Sequence, residues 1–373
     1  MIWRVVLLTS LFGSLWGCQT IGALDSSRVS SDWTASLYSL ESFAFRPEDR
    51  GQPVHVSDDF AGDSGIVLVP TKDRALRALR GTDGAEIWRF ETGGANVARP
   101  LVVEDDVIVA STDGRLYRLK RRSGRTLWAV DVPGKAAVLQ SPVMADGKIF
   151  VATMENRIAA FDANTGAVVW DRRRPPEGVF TITGHAGLLV DGDAVITGFN
   201  DGWLVGFATS DGATLWSTDL SGNAQGFVDI DTTPVASGSN YIVSSYGVGL
   251  FALEKKSQDV TWYVKGQGFM TPVLAGGTLY AATASGDLYA IVAATGKVLW
   301  HKKYAKALHS APAATRKYLL LPTSGGLLVI DRKQGRVLQR VGDSHGFTAR
   351  PFYVNGTLFA LSNSGRFYAL GIH

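Results

Sequence analysis

A single cysteine, Cys18, stands among 373 residues, so no disulfide can form within the chain. Charge is scarce as well: Asp, Glu, Lys and Arg make up 19% of the sequence, and the formal net charge is +3 with no long Lys/Arg run. That balance does not call for a polyanion, which argues against nucleic acid as a partner. The six histidines, among them His185, His301, His309 and His345, show no metal-type spacing with each other or with the cysteine. No metal site and no cofactor is therefore expected. Helical periodicity is missing outside the N-terminal segment. The one long apolar run, Val5 to Leu15, is shorter than the ~20 residues that span a bilayer.

What the sequence has in quantity is glycine, 42 residues, and tryptophan, ten residues. Near copies of "AATGKVLW" end on Trp88, Trp128, Trp170, Trp216, Trp262 and Trp300, with Gln339 in the same place in "QGRVLQ". The intervals run from 38 to 46 positions, the spacing of a four-stranded propeller blade. A second marker keeps the register: Pro100, Pro142, Pro234 and Pro272 each lie 28 positions before their Trp. Insertions therefore fall at the junctions between repeats. Inside the repeat from Thr271, the strands "PVLA", "TLYAAT", "DLYAIVA" and "KVLW" are separated by glycine-bearing turns. Glycine supplies the positive φ of tight hairpins, and small residues alternating with Leu, Val and Tyr suit sheets buried on both faces.

The expectation is an all-β, eight-bladed propeller of four-stranded blades over 32–373. Seven repeats end at Gln339, and an eighth stops at His373 after three strands. "DWTASL", Asp32 to Leu37, resembles the outer strand "LWSTDL" and supplies the missing one, closing the ring and removing an open sheet edge. Trp33 then joins the structural indoles. Seven blades remain the alternative if a terminal unit is degenerate. An indole once per blade is spread round a wide ring, so each is expected to pack against the neighbouring blade and donate its N–H to local backbone.

The N-terminal segment has Arg4, the apolar run and then Leu15-Trp16-Gly17-Cys18, which resembles a bacterial lipobox. Residues 1–17 would be a signal peptide and 18–31 a tether behind a lipidated Cys18. Two or more acyl chains anchor a soluble domain stably to a membrane face. Gln19 favours sorting to the outer membrane. The alternative is an ordinary secreted protein whose Cys18 is discarded.

The repeat "ATGKVLW" resembles the pyrroloquinoline-quinone-type propeller repeat, found in quinoprotein dehydrogenases and in non-enzymatic lipoproteins. With the lipobox, the eight repeats, "DIDTTPV" (Asp229 to Val235) and the C-terminal "GFTARPFYVNGTLFALSNSGRFYAL", the chain resembles the BamB family of the machinery that folds β-barrels into the outer membrane. The resemblance implies a scaffold on the periplasmic face of the outer membrane, docking on periplasmic domains of the barrel insertase and possessing no catalytic residue. Unfolded barrel proteins would be further partners. By position it implicates Phe180, Ile182 and Thr183 in one long junction, and Asp229 and Asp231 in the next. Without partner contact, the two carboxylates would cap a turn before Pro234. The runner-up is a lipid-anchored propeller that binds another protein, the cell wall or a ligand. A dehydrogenase is disfavoured, because a single cysteine excludes the vicinal disulfide common over that cofactor. Two lookalikes carry no function: Gly62-Asp63-Ser64-Gly65 lacks a placed histidine, and Gly247-Val248-Gly249 lacks a following helix; the run Arg172-Arg173-Arg174 is expected on a solvated loop, with a partner contact as the alternative.

Overall fold

The computed structural model describes residues 29–37, 51–56, 65–174, 186–222 and 227–373. Cys18, Phe180, Ile182 and Thr183 lie outside the described residues. Eight four-stranded antiparallel sheets follow one another. Blades 1 to 7 cover 54–91, 101–131, 143–173, 189–219, 235–265, 273–303 and 313–341, each with its strands in chain order. Blade 8 takes three strands from 352–372 and its outermost from the N-terminal Val29–Ser36. The inner strands of blades 8 and 1 touch, so the ring is closed.

The N-terminal strand begins at Val29, earlier than the expected Asp32, and pairs Val29 with Ile372 and Ser36 with Arg366. Asp32 is the extra residue of a bulge between Ser31 and Trp33. The outer strands also run past their indoles: in blade 6 the strand is Val298–Lys303, where the sequence pattern ends on Trp300. The only helical element among the described residues is the short 3-10 turn Pro133–Lys135.

Burial grades outward along each blade. The second and third strands are almost wholly buried, as in Ile66–Thr71, and the fourth alternates, as in Thr214–Asp219. The core consists of eight clusters, each lying between two neighbouring blades. Ile108 and Leu116 of blade 2, for example, pack with Ile149 and Phe161 of blade 3. A blade buries neither face alone, so stability belongs to the joints and the ring must close to complete the last one.

Candidate functional site

The indoles form those joints. In each of blades 1 to 7 the residue before the Trp position is bulged out of register, for instance Leu299 between Val298 and Trp300, which pair with Ile291 and Ala290. A bulge re-aims the following side chain. Here it turns the indole towards the next blade. Trp33, Trp88, Trp128, Trp170, Trp262 and Trp300 each donate their N–H to a turn carbonyl of that blade, those of Gly81, Arg121, Ala163, Thr209, Ala293 and Arg332, at 2.7–3.3 Å. The bond is therefore to the neighbour's backbone, where the sequence pattern suggested local backbone. The ring lies flat on the turn glycine. At Gly296, whose φ is +71°, a Cβ would stand 2.7 Å from Cδ2 of Trp262, so both the backbone and the contact demand glycine.

Two joints differ, and each difference follows from the partner blade. The turn that Trp216 should meet has Gln258 in the glycine position, at φ 61°. Its indole instead lies over Gly206 of its own blade, where a Cβ would be 2.5 Å from Cε2, and stacks on Tyr241 of blade 5 at 5.9 Å. The substitution of Gln258 for glycine was the legible signal. Gln339 faces blade 8, whose third and fourth strands come from opposite ends of the chain. With no turn between those strands, there is no glycine for an indole to cover. The amide of Gln339 is buried without a hydrogen-bond partner.

The segment Val228 to Pro234 leads from the blade 4–5 junction into the channel wall. Ile230 N donates to Phe199 O at 3.0 Å, Tyr246 N donates to Asp229 O at 2.8 Å, and Ser245 Oγ donates to Val228 O at 2.8 Å. Ile230 also sits on Gly198, where a Cβ would lie 2.0 Å from its Cγ2. Asp229 is 1% exposed. It is thus built into the wall and not presented on an open rim. Asp231 faces the central channel. Burial, and then the charge of Asp229, pushes its carboxyl up to about 7. Phe227, at the outer end of the segment, is 45% exposed. Gly247 supports its root: a Cβ there would meet the Phe227 carbonyl at 2.2 Å.

The arginine run proves structural. Arg172 and Arg173 belong to the outer strand of blade 3, and Arg172 donates to the carbonyls of Gly212 and Asp211 in blade 4 at 3.0 and 2.7 Å. Arg174 pairs with Asp201. Arg172 and Arg174 thus tie two blades together, where the sequence pattern suggested a solvated loop, and Arg173 is exposed on the strand. His301 stacks on Tyr289 at 4.0 Å and reaches Asp287 at 2.9 Å. Among the described residues no three His, Cys, Asp or Glu gather to hold a metal ion.

The channel is a cavity of about 1070 Å³, lined by the residues that precede the inner strands. Its wall is partly knitted by their side chains: Arg99 N donates to Ser141 Oγ at 3.1 Å, and Thr233 N to Thr271 Oγ1 at 2.9 Å. Arg99 and Arg350 line the same cavity. Both stand in an Ala-Arg-Pro triplet, Ala98 to Pro100 and Ala349 to Pro351, which the repeat pattern does not single out because the position differs from blade to blade.

A model of the family described as outer membrane protein assembly factor BamB matches residues 18–142 and 133–302. A BamB from Shewanella oneidensis is 23% identical over 325 residues, 81% of either chain. The BamB structure from Moraxella catarrhalis superposes with a TM-score of 0.74 at 19% identity, covering 86% of this chain and 98% of that one. The quinohemoprotein alcohol dehydrogenase of Comamonas testosteroni superposes almost equally, with a TM-score of 0.73 at 13% identity over 92% of this chain and 76% of that one. The propeller alone thus does not separate scaffold from enzyme.

Proposed function

This chain belongs to the BamB family of outer membrane protein assembly factors, and we propose on that premise that it is a lipid-anchored scaffold docking on the barrel insertase. The family is one of assembly factors, not enzymes. The observation that carries the docking surface is the contrast along one segment: Phe227 is exposed while Asp229, next but one, is buried and its backbone hydrogen-bonded. A rigid root with an apolar tip suits protein contact, since little ordering entropy is lost on binding. Phe180, Ile182 and Thr183, on the preceding junction of the sequence, are proposed as further contacts with the insertase. In this reading Asp231 and Asp229 act from beneath: Asp229 fixes the loop and Asp231 sets its inner end. Cys18 carries the acyl anchor at the periplasmic face of the outer membrane.

A second contact is favoured for unfolded barrel clients. The outer strand of each blade is a sheet edge, and Val169, Leu215, Val260 and Leu299 on such strands are 44–52% exposed. Edge strands with apolar side chains accept an extended peptide. A photocrosslinking residue in place of Phe227, in membranes bearing the full-length protein, should capture the insertase, whereas one in place of Leu299 should capture client chains. Equal insertase capture from both positions would remove the junction from the interface. Cys18→Ser should shift the protein out of the outer-membrane fraction. If it stays there unacylated, the anchor is misassigned.

A further inference from the structure

Among the described residues, guanidiniums with little exposure are commonly paired with carboxylates. Arg77, 1% exposed, meets Asp73 at 2.5 Å; Arg118 meets Asp106 at 2.6 Å; Arg174 meets Asp201. Arg99 and Arg350 break this rule. Both line the central cavity, and among the described residues neither has a carboxylate partner or a side-chain hydrogen bond. They occupy the same place in blades 2 and 8, immediately before Pro100 and Pro351, and flank blade 1, where Gln52 precedes Pro53. The Arg99 guanidinium lies 4.8 Å from the ring centroid of Phe352. It therefore reaches past blade 1 to blade 8, where Phe352 follows Arg350 by two residues.

The cost of this arrangement shows in both groups. Burial lowers the pKa of Arg99, and burial together with the charge of Arg99 lowers that of Arg350. Arginine nevertheless stays protonated. Two part-buried like charges that line one cavity without a carboxylate between them favour an anion there. The channel's own carboxyl does not serve: Asp231 belongs to blade 5, across the ring, and is itself driven towards neutrality. Guanidinium forks match phosphate and carboxylate oxygens in pairs, and the side-chain amide of Gln52 adds a neutral donor between them.

We infer that Arg99 and Arg350, with Gln52 between them, form a site in the channel wall for a small, multiply charged oxyanion of the phosphate or polycarboxylate class. The site is independent of the docking surface and stands or falls separately from it. The cavity of about 1070 Å³ has room for such an anion with its water.

The test titrates the full chain with inorganic phosphate and, separately, citrate, at constant ionic strength set with chloride, reading heat and melting temperature. The parent should bind one of them saturably with one-to-one stoichiometry and melt higher as it does so. The double variant Arg99→Gln, Arg350→Gln should bind at least tenfold more weakly, while melting no lower than the parent in chloride buffer without phosphate or citrate, because its uncompensated charges are gone. A merely structural role predicts the reverse: a lower melting temperature with anion binding unchanged. Preference for phosphate or for citrate tells the two classes apart. No saturable binding by the parent, or equal affinity in the double variant, overturns the inference.

Discussion

The outer girdle and the channel wall are built from the same repeats, yet they follow opposite rules. In the girdle, six indoles meet six turn carbonyls in the same way, over glycine wherever the turn supplies one. In the wall, the residue that precedes the proline of the inner strand varies from blade to blade: an amide at Gln52, guanidiniums at Arg99 and Arg350, hydroxyls at Ser141, Thr233 and Thr271. The girdle is a solved packing problem that each blade repeats, so its residues are interchangeable in kind. The wall is where eight blades face one another across a cavity, and a residue there is freer to vary because only part of its surface meets a neighbour. This difference predicts that changes in the girdle will be large, destabilising and insensitive to pH. Changes in the wall should be small, often stabilising, and dependent on ionisation.

The severest challenge to the girdle is removal of its closing strand. Deleting residues through Leu37 strips Val29 and Trp33 from the joints that blade 8 makes with blades 7 and 1. It also exposes the ladder of strand Arg366–Ile372. The loss should exceed ~4 kcal/mol, beyond the usual range for a local change. A truncated chain that melts like the parent would mean that closure contributes nothing.

Next in size is Trp170→Ala, which empties a joint where the indole is 6% exposed and packs on Phe150. About 3–5 kcal/mol should be lost, by transfer and cavity terms together. Trp216→Ala should cost roughly half of that, since this indole has left the neighbouring turn and lies on its own Gly206. Chemical denaturation at two pH values would check both. Equal losses for Trp170 and Trp216 would show that the glycine seat is unimportant to the joint.

The same contrast explains what the sequence made legible. Blade number, indole register and the borrowed N-terminal strand are written in neighbouring residues: a turn that needs positive φ, a strand, then an indole. Even the exceptions are local, because Gln258 replaces a glycine and Gln339 an indole next to the chain ends. The burial of Asp229 was not legible, nor was the strap from Arg174 to Asp201, nor the reach of Arg99 to Phe352. These depend on which residues the closed ring brings across a junction or a cavity. No period in the sequence encodes that distance. The carboxylates of "DIDTTPV" were implicated by their position on a junction, and position along a chain says nothing about which face is solvent when both faces of a blade are covered.

The wall supplies the smallest and most discriminating prediction, Asp231→Asn. Burial first, and the neighbouring Asp229 charge second, raise the Asp231 carboxyl to about 7 in the folded chain, against ~3.9 in an unfolded one. Between those values the folded protein holds a proton that the unfolded chain has released. The contribution of this group to stability is therefore fully present below pH ~4, declines as pH rises towards 7, and stays low above it. Asn keeps the shape and cannot ionise, so the variant escapes that decline. The two proteins should melt alike at pH 4.5, diverge through pH 6, and differ by about 1–2 kcal/mol at pH 8 in favour of the variant, channel water screening the rest. Subtracting parent from variant at each pH cancels every other titrating group. Curves that run parallel from pH 4.5 to 8 would show that Asp231 is already ionised at acid pH, and that the channel wall obeys the same rules as the girdle.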